Sequence, residues 1–268
     1  MPIDKVKIGN ISVSRLIIGG NPFSGFSHHG ADRDAEMRHY YTVSRIKQTL
    51  RQAEELGINA HLSRADHHIM RYLMEYWDEG GEIFWMAQTC PELGTTERGI
   101  NNAIAGGAKA CHIHGGTMDF LIANNQLDEL PSLIAKIRQA GLAAGIAGHT
   151  TDVFAWAREN LDVDYYMCSY YNPIARHKQA DHVSGTHEQY LDEDRRAMVE
   201  LIRDLNKPVI HYKVLAAGRN DPAEAFDFVA RHLRPQDAVC VGVYTKERPN
   251  SLPENLQLLT KAMETRTQ

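Results

Sequence analysis

The sequence predicts an α/β fold, a (β/α)8 TIM barrel spanning residues 1–268 as one domain, with an N-terminal β-hairpin closing its bottom. Three observations carry that prediction. Short apolar runs rich in β-branched residues alternate along the chain with amphipathic stretches. Eight such runs fit within 268 residues, which suits a closed barrel better than an open sheet. Glycines (Gly57, Gly81, Gly107 and Gly141) stand at or just past the amphipathic stretches, where a left-handed C-cap precedes the next strand.

The elements follow in order. Val6-Lys7-Ile8-Gly9-Asn10-Ile11-Ser12-Val13 reads as a hairpin with Gly9-Asn10 at its turn. Barrel strands are expected at residues 15–20, 58–63, 82–88, 108–114, 142–148, 164–169, 209–213 and 238–243. Helical spacing fills the gaps, as in Ile46, Leu50, Ala53 and Leu56, or Leu133, Ile134, Ile137 and Ala140. Pro208 stops a helix before the seventh strand. Strand–helix alternation of this regularity implies parallel strands with right-handed crossovers.

Composition narrows the function classes. Hydrophobic residues make up 43% and charged residues 24%, as in folded soluble proteins. A net charge of -5 argues against nucleic acid or an acidic membrane as partner. The four cysteines form no CxxC pair, which suits a reducing compartment. No targeting segment and no apolar run of ~18 residues is visible, so the expected location is cytoplasmic. Histidine is the anomaly, at 14 of 268 residues.

The layout resembles the aldo-keto reductase family. The hairpin followed by Val13-Ser14-Arg15-Leu16-Ile17-Ile18-Gly19-Gly20, the Leu56-Gly57-Ile58-Asn59 entry to the second strand, and the late Pro253-Glu254-Asn255-Leu256 helix carry the likeness. It implies the barrel fold and an NADPH-dependent reductase site. That site would hold an Asp and a Tyr after strand two, a Lys after strand three and a His after strand four. Here Leu62 stands in the Asp position, a histidine falls near the Tyr position, and Met86-Ala87-Gln88-Thr89 lacks the Lys. Only the strand-four histidine remains, as His112 or His114. Lys246 and Arg248 after strand eight could meet a phosphate, but Tyr244-Thr245-Lys246-Glu247 replaces the family's small-residue loop. NADPH is therefore not the expected cofactor.

Barrel chemistry lies at the carboxyl ends of the strands, and twelve of the fourteen histidines map on or after strand ends. Among them His28 and His29 follow strand one, and His67 and His68 follow strand two. Period-two alternation then selects an inward ring of His61, Gln88, His112, His114, His149, His211 and Lys213, with Ile58, Ala60, Leu62, Ile210 and Tyr212 turned toward the helices. Converging imidazoles suit a divalent transition metal such as Zn, Mn or Fe, with His61, His112, His114 and His211 as ligands. A metal-free site in which the histidines bind a polar substrate directly is the alternative.

Lys213, with its amine freed by burial, is the expected base or Schiff-base nucleophile, and His149 and Gln88 would orient the substrate. Asn21 and Tyr171 are expected to bind it. Arg219, Lys246 and Arg248 lie where barrels often bind phosphate and would hold an anionic group. Residues 172–193 form a long loop carrying His177, His182 and His187, read either as a lid or as a subunit contact in a homo-oligomer.

The resulting expectation is an enzyme acting on a small sugar-like or keto-acid substrate by proton abstraction, of isomerase or lyase type. The alternatives are an NADPH-dependent aldo/keto oxidoreductase and a non-catalytic sugar-binding protein.

Overall fold

A computed structural model describes residues 3–181 and 187–266. The chain begins with the expected hairpin, β1 (Lys5–Ile8) against β2 (Ile11–Ser14). Ile8 pairs with Ile11 across the two-residue turn, and Gly9 takes a φ of +54°, which is costly for a residue with a side chain. A Cβ on Gly9 would also stand 3.1 Å from the Ala143 Cβ. The turn thus sits under the start of the fifth barrel strand.

All eight expected barrel strands form. They are β3 (Leu16–Gly19), β4 (Ala60–Arg64), β5 (Phe84–Gln88), β6 (Ala110–Ile113), β7 (Ala143–Gly148), β8 (Tyr165–Ser169), β9 (Val209–Tyr212) and β10 (Ala238–Gly242). Each pairs in parallel with the next, and β10 pairs with both β9 and β3, closing the barrel. The helices, in chain order, are α1 (Ala31–Tyr40), α2 (Val43–Glu55), α3 (His67–Asp78), α4 (Thr96–Ala105), α5 (Gly115–Ala123), α6 (Leu130–Gln139), α7 (Thr151–Asn160), α8 (Asp192–Asp204), α9 (Pro222–His232) and α10 (Ser251–Arg266). Gly57, Gly107 and Gly141 take positive φ as expected, but after α3 it is Gly80 rather than Gly81. Among the described residues, no helix is long and apolar enough to cross a membrane.

Alternate residues of each strand feed two separate apolar layers. Ile17, Ala60, Leu62, Met86, Tyr165 and Ile210 pack inside the barrel with Val6, Ile8 and Val13 of the hairpin. Leu16, Ile18, Trp85, Ile113, Tyr166 and Val239 pack between the strands and the helices. The hairpin therefore closes the amino end of the barrel interior by apolar burial.

This layering reverses the expected facing on two strands. Ala60 and Leu62 fill the interior, so His61 points outward; its Nδ1–H donates to the Ile18 carbonyl at 3.0 Å and its Nε2 accepts from the Tyr72 hydroxyl of α3 at 2.6 Å. Ile210 and Tyr212 face inward. His211 instead accepts from Tyr170 at 3.0 Å and donates to Asp237 at 3.3 Å in the outer layer. A strand buried on both faces carries no polar–apolar contrast to tell them apart, and each outward imidazole is stable because both ring nitrogens are bonded.

Candidate active site

The carboxyl ends of the strands surround a small pocket. Asn21, Phe26 and His28 reach it from the loop after β3, and Arg64 and Gln88 from the ends of β4 and β5. His114 and Gly115 follow β6, His149 follows β7, Arg176 comes from the loop after β8, and Tyr212 and Lys213 end β9.

Two hydrogen-bond chains converge there. Lys213 lies one residue past β9, and its φ of +57° breaks the strand's alternation and turns the side chain into the pocket. Its ammonium donates to His28 Nε2 at 3.0 Å. His28 Nδ1–H donates to Glu188 at 2.8 Å, and Glu188 also accepts from the Tyr190 hydroxyl at 2.6 Å. In the second chain, His149 Nδ1–H donates to the buried Asp119 of α5 at 2.6 Å, and Asp119 also accepts the His149 main-chain N–H at 2.9 Å. The Tyr212 hydroxyl then lies 3.2 Å from His149 Nε2 and 3.3 Å from the Gly148 carbonyl. Each carboxylate thereby fixes the tautomer of its histidine.

The electrostatics follow from burial and from neighbouring cations. Burial, with the charges of Arg176 and Arg219, pulls Lys213 down to about 8 against the opposing pull of Glu188. Burial also opposes ionisation of Glu188, but its bonds to His28 and Tyr190 and the Lys213 charge hold its carboxyl down to about 2. His149 is lowered by burial and by Lys213 and Arg176, with Asp119 acting against them. Burial lifts Tyr212 well above the ordinary phenol value, so its hydroxyl stays protonated. His114 accepts the Gly116 N–H on Nδ1 at 3.1 Å, and burial and surrounding cations keep it neutral.

The expected residues divide. Lys213, His149, Gln88, Asn21 and His114 line the pocket. His112 faces inward, with Nδ1 3.2 Å from the Tyr165 hydroxyl, while its buried Nε2 has no partner among the described residues. His61 and His211 are in the outer layer, so the four-histidine ligand set does not assemble. Among the described residues, no three His, Cys, Asp or Glu side chains are grouped to hold a metal ion.

The expected anion contacts also move. Lys246 pairs with Glu36 and Arg248 with Glu254 on the exposed surface. Arg219 donates to the His28 carbonyl at 2.8 Å and stacks over Tyr190 at 4.4 Å, bracing the first chain from behind. Tyr171 is buried in the outer layer and accepts from Asn220 at 2.7 Å. His67, His68, His177 and His187 are exposed, and His182 lies outside the described residues. Asp119, Glu188, Arg176 and Arg64 were not legible as site residues: their contacts span loops and helices, with no local spacing to mark them.

No protein-family model matches the sequence, and no protein of curated function matches it. Solved structures do. One is described as an aldo-keto reductase from Pseudomonas aeruginosa, at 19% identity, TM-score 0.63, with 97% of this chain and 94% of that chain covered. An aldo-keto reductase from Bacillus halodurans aligns at 14% identity, TM-score 0.56, covering 97% and 96%. A truncated 3-deoxy-D-arabino-heptulosonate 7-phosphate synthase from Thermotoga maritima aligns at 14% identity, TM-score 0.56, covering 99% and 91%. At these identities the likeness is one of fold, which the sequence resemblance had implied; one barrel hosts many chemistries.

Proposed function

We propose that the protein is an enzyme that removes a proton beside the carbonyl of a small, oxygen-rich substrate such as a keto-sugar or sugar acid, leading to isomerisation, elimination or carbon–carbon cleavage. One observation carries this reading: a lysine amine held near neutrality and a protonated tyrosine hydroxyl, each at the end of its own His–carboxylate chain, face the same pocket.

In the proposed step neutral Lys213 takes the proton from carbon. The C–H electrons form the enolate, and the charge moves to the carbonyl oxygen. Rotation about one bond presents the Tyr212 hydroxyl proton to that oxygen, beside the Gln88 amide. His149 and Asp119 hold Tyr212 in place, and His28 and Glu188 hold Lys213. With a lysine near 8, roughly one molecule in ten carries the free amine at pH 7, enough for general-base catalysis. No step runs through a metal or through NADPH. Among the described residues the side chains gather no ligand set, and Lys246 and Arg248 are occupied by carboxylates.

The test does not require the substrate's name. Keto-sugars, sugar acids and keto acids are incubated with the protein in D2O, and loss of the α-proton signal is followed by NMR. At least one class is expected to exchange, and Lys213→Ala is expected to slow exchange ~100-fold or more with an unchanged circular dichroism spectrum. Undiminished exchange in that variant would sink the assignment. So would saturable NADPH binding with carbonyl reduction and no exchange.

A further inference from the structure

We propose that Arg176 is the anion-binding residue of this pocket, and that the substrate carries a carboxylate or phosphate gripped by its guanidinium. The proposal rests on the preceding reading only in taking this pocket as the reaction site.

Arg176 is 9% exposed, and burying a guanidinium without a counter-charge is costly. The other cations around the pocket are answered. Arg64 pairs with Asp66 at 2.8 Å and with Glu92. Lys213 is answered through His28 by Glu188, which His28 and Tyr190 hold in place behind it. Asp119 is engaged by both the ring and the main chain of His149. Among the described residues, Arg176 meets only main-chain carbonyls, those of Ala180 at 2.8 Å and Asp181 at 2.9 Å, both through one nitrogen. Those two bonds hold one arm of the guanidinium and leave the rest of the planar fork to the pocket it lines.

The surroundings are built to keep it there. A Cβ on Gly116 would stand 2.4 Å from the Ala180 oxygen and 2.9 Å from Arg176 Cδ, so only glycine lets the chain of Arg176 lie on the start of α5. A Cβ on Gly115 would stand 2.9 Å from the His149 ring and 3.0 Å from the Tyr212 hydroxyl. The same backbone thus abuts the guanidinium and the acid. A forked arginine matches carboxylate and phosphate geometry in two-point contact, and a ligand anion would supply the missing charge. Both chemistries suit a small sugar acid or sugar phosphate.

The experiment is calorimetric titration of oxalate and of inorganic phosphate, as separate arms, into the wild type, R176Q, R176K and K213A. The wild type is expected to bind at least one anion saturably, and the tighter arm names the group. R176Q is expected to weaken that binding ~10–100-fold. R176K, which keeps the charge and loses the fork, is expected to weaken it ~10-fold, and it decides the matter if R176Q does not fold. K213A removes a neighbouring cation but leaves the fork, so it is expected to weaken anion binding less than R176Q does while abolishing proton exchange. The arginine variants' binding loss does not require that abolition, so failure of the clamp and failure of the base assignment are read separately. A wild type that binds neither anion, or an arginine variant that binds as the wild type does, overturns the proposal.

Discussion

Lys213 gathers several local effects into one function. A non-glycine residue in the left-handed region is strained by on the order of 1–2 kcal/mol, and here the strain aims an amine at a pocket. Sequence alone marked this lysine, because its strand position left packing no use for a charge. The carboxylate partners Glu188 and Asp119 lie 25 and 94 positions away, beyond the reach of periodicity. If Lys213 is the base, kcat/KM rises with pH through an apparent pKa near 8, since only the free amine accepts a proton. The Arg176 charge depresses that value, so R176Q moves the rising limb to higher pH; a limb that stays put or moves down counts against the coupling. Asp119→Asn, which uncouples His149, is expected to lower the exchange rate ~100-fold without changing the circular dichroism spectrum.

Secondary elements were legible almost completely, but their facing was not. Strand positions followed from β-branched runs and C-cap glycines, because local sterics determine both. Which side of β4 or β9 meets the barrel axis is decided by tertiary fit, and alternation of Ala60, His61 and Leu62 is compatible with either answer. The outward placement of His61 has a direct check. Tyr72→Phe leaves His61 Nε2 buried and unpaired, which is expected to cost ~1–3 kcal/mol and lower Tm by several degrees. Proton exchange should be unchanged; an exchange rate that collapsed with stability intact would return His61 to the pocket. The turn after β9 offers a second check. Ala217 has a φ of +54°, and Ala217→Gly should raise stability by ~1 kcal/mol, read as an upward shift in the urea midpoint.

At the scale of the whole molecule, the histidine surplus has more than one use. Three histidines (His28, His114 and His149) line the pocket, while His61, His112 and His211 are fully buried. An imidazole kept neutral inside a barrel links the fold to pH. Burial holds His61 down to about 4 and His112 down to about 3, against an ordinary 6.5. Below 6.5 the unfolded chain therefore takes up protons that the folded chain refuses. Stability is fully present above 6.5 and falls as pH drops, until the folded-state values are passed near 4 and 3. Within that window each histidine contributes a slope of up to about 1.4 kcal/mol per pH unit, so the pair accounts for several kcal/mol, comparable with the whole stability of a typical domain. Urea unfolding between pH 7 and 4 should show this decline. His112→Asn lowers stability at neutral pH by removing packed atoms, but it also removes one titrating group. Its curve should thus be shallower than the wild type by about one proton's worth of slope. If the two curves run parallel across the window, His112 is not held neutral by the barrel interior, and the acid sensitivity has another source.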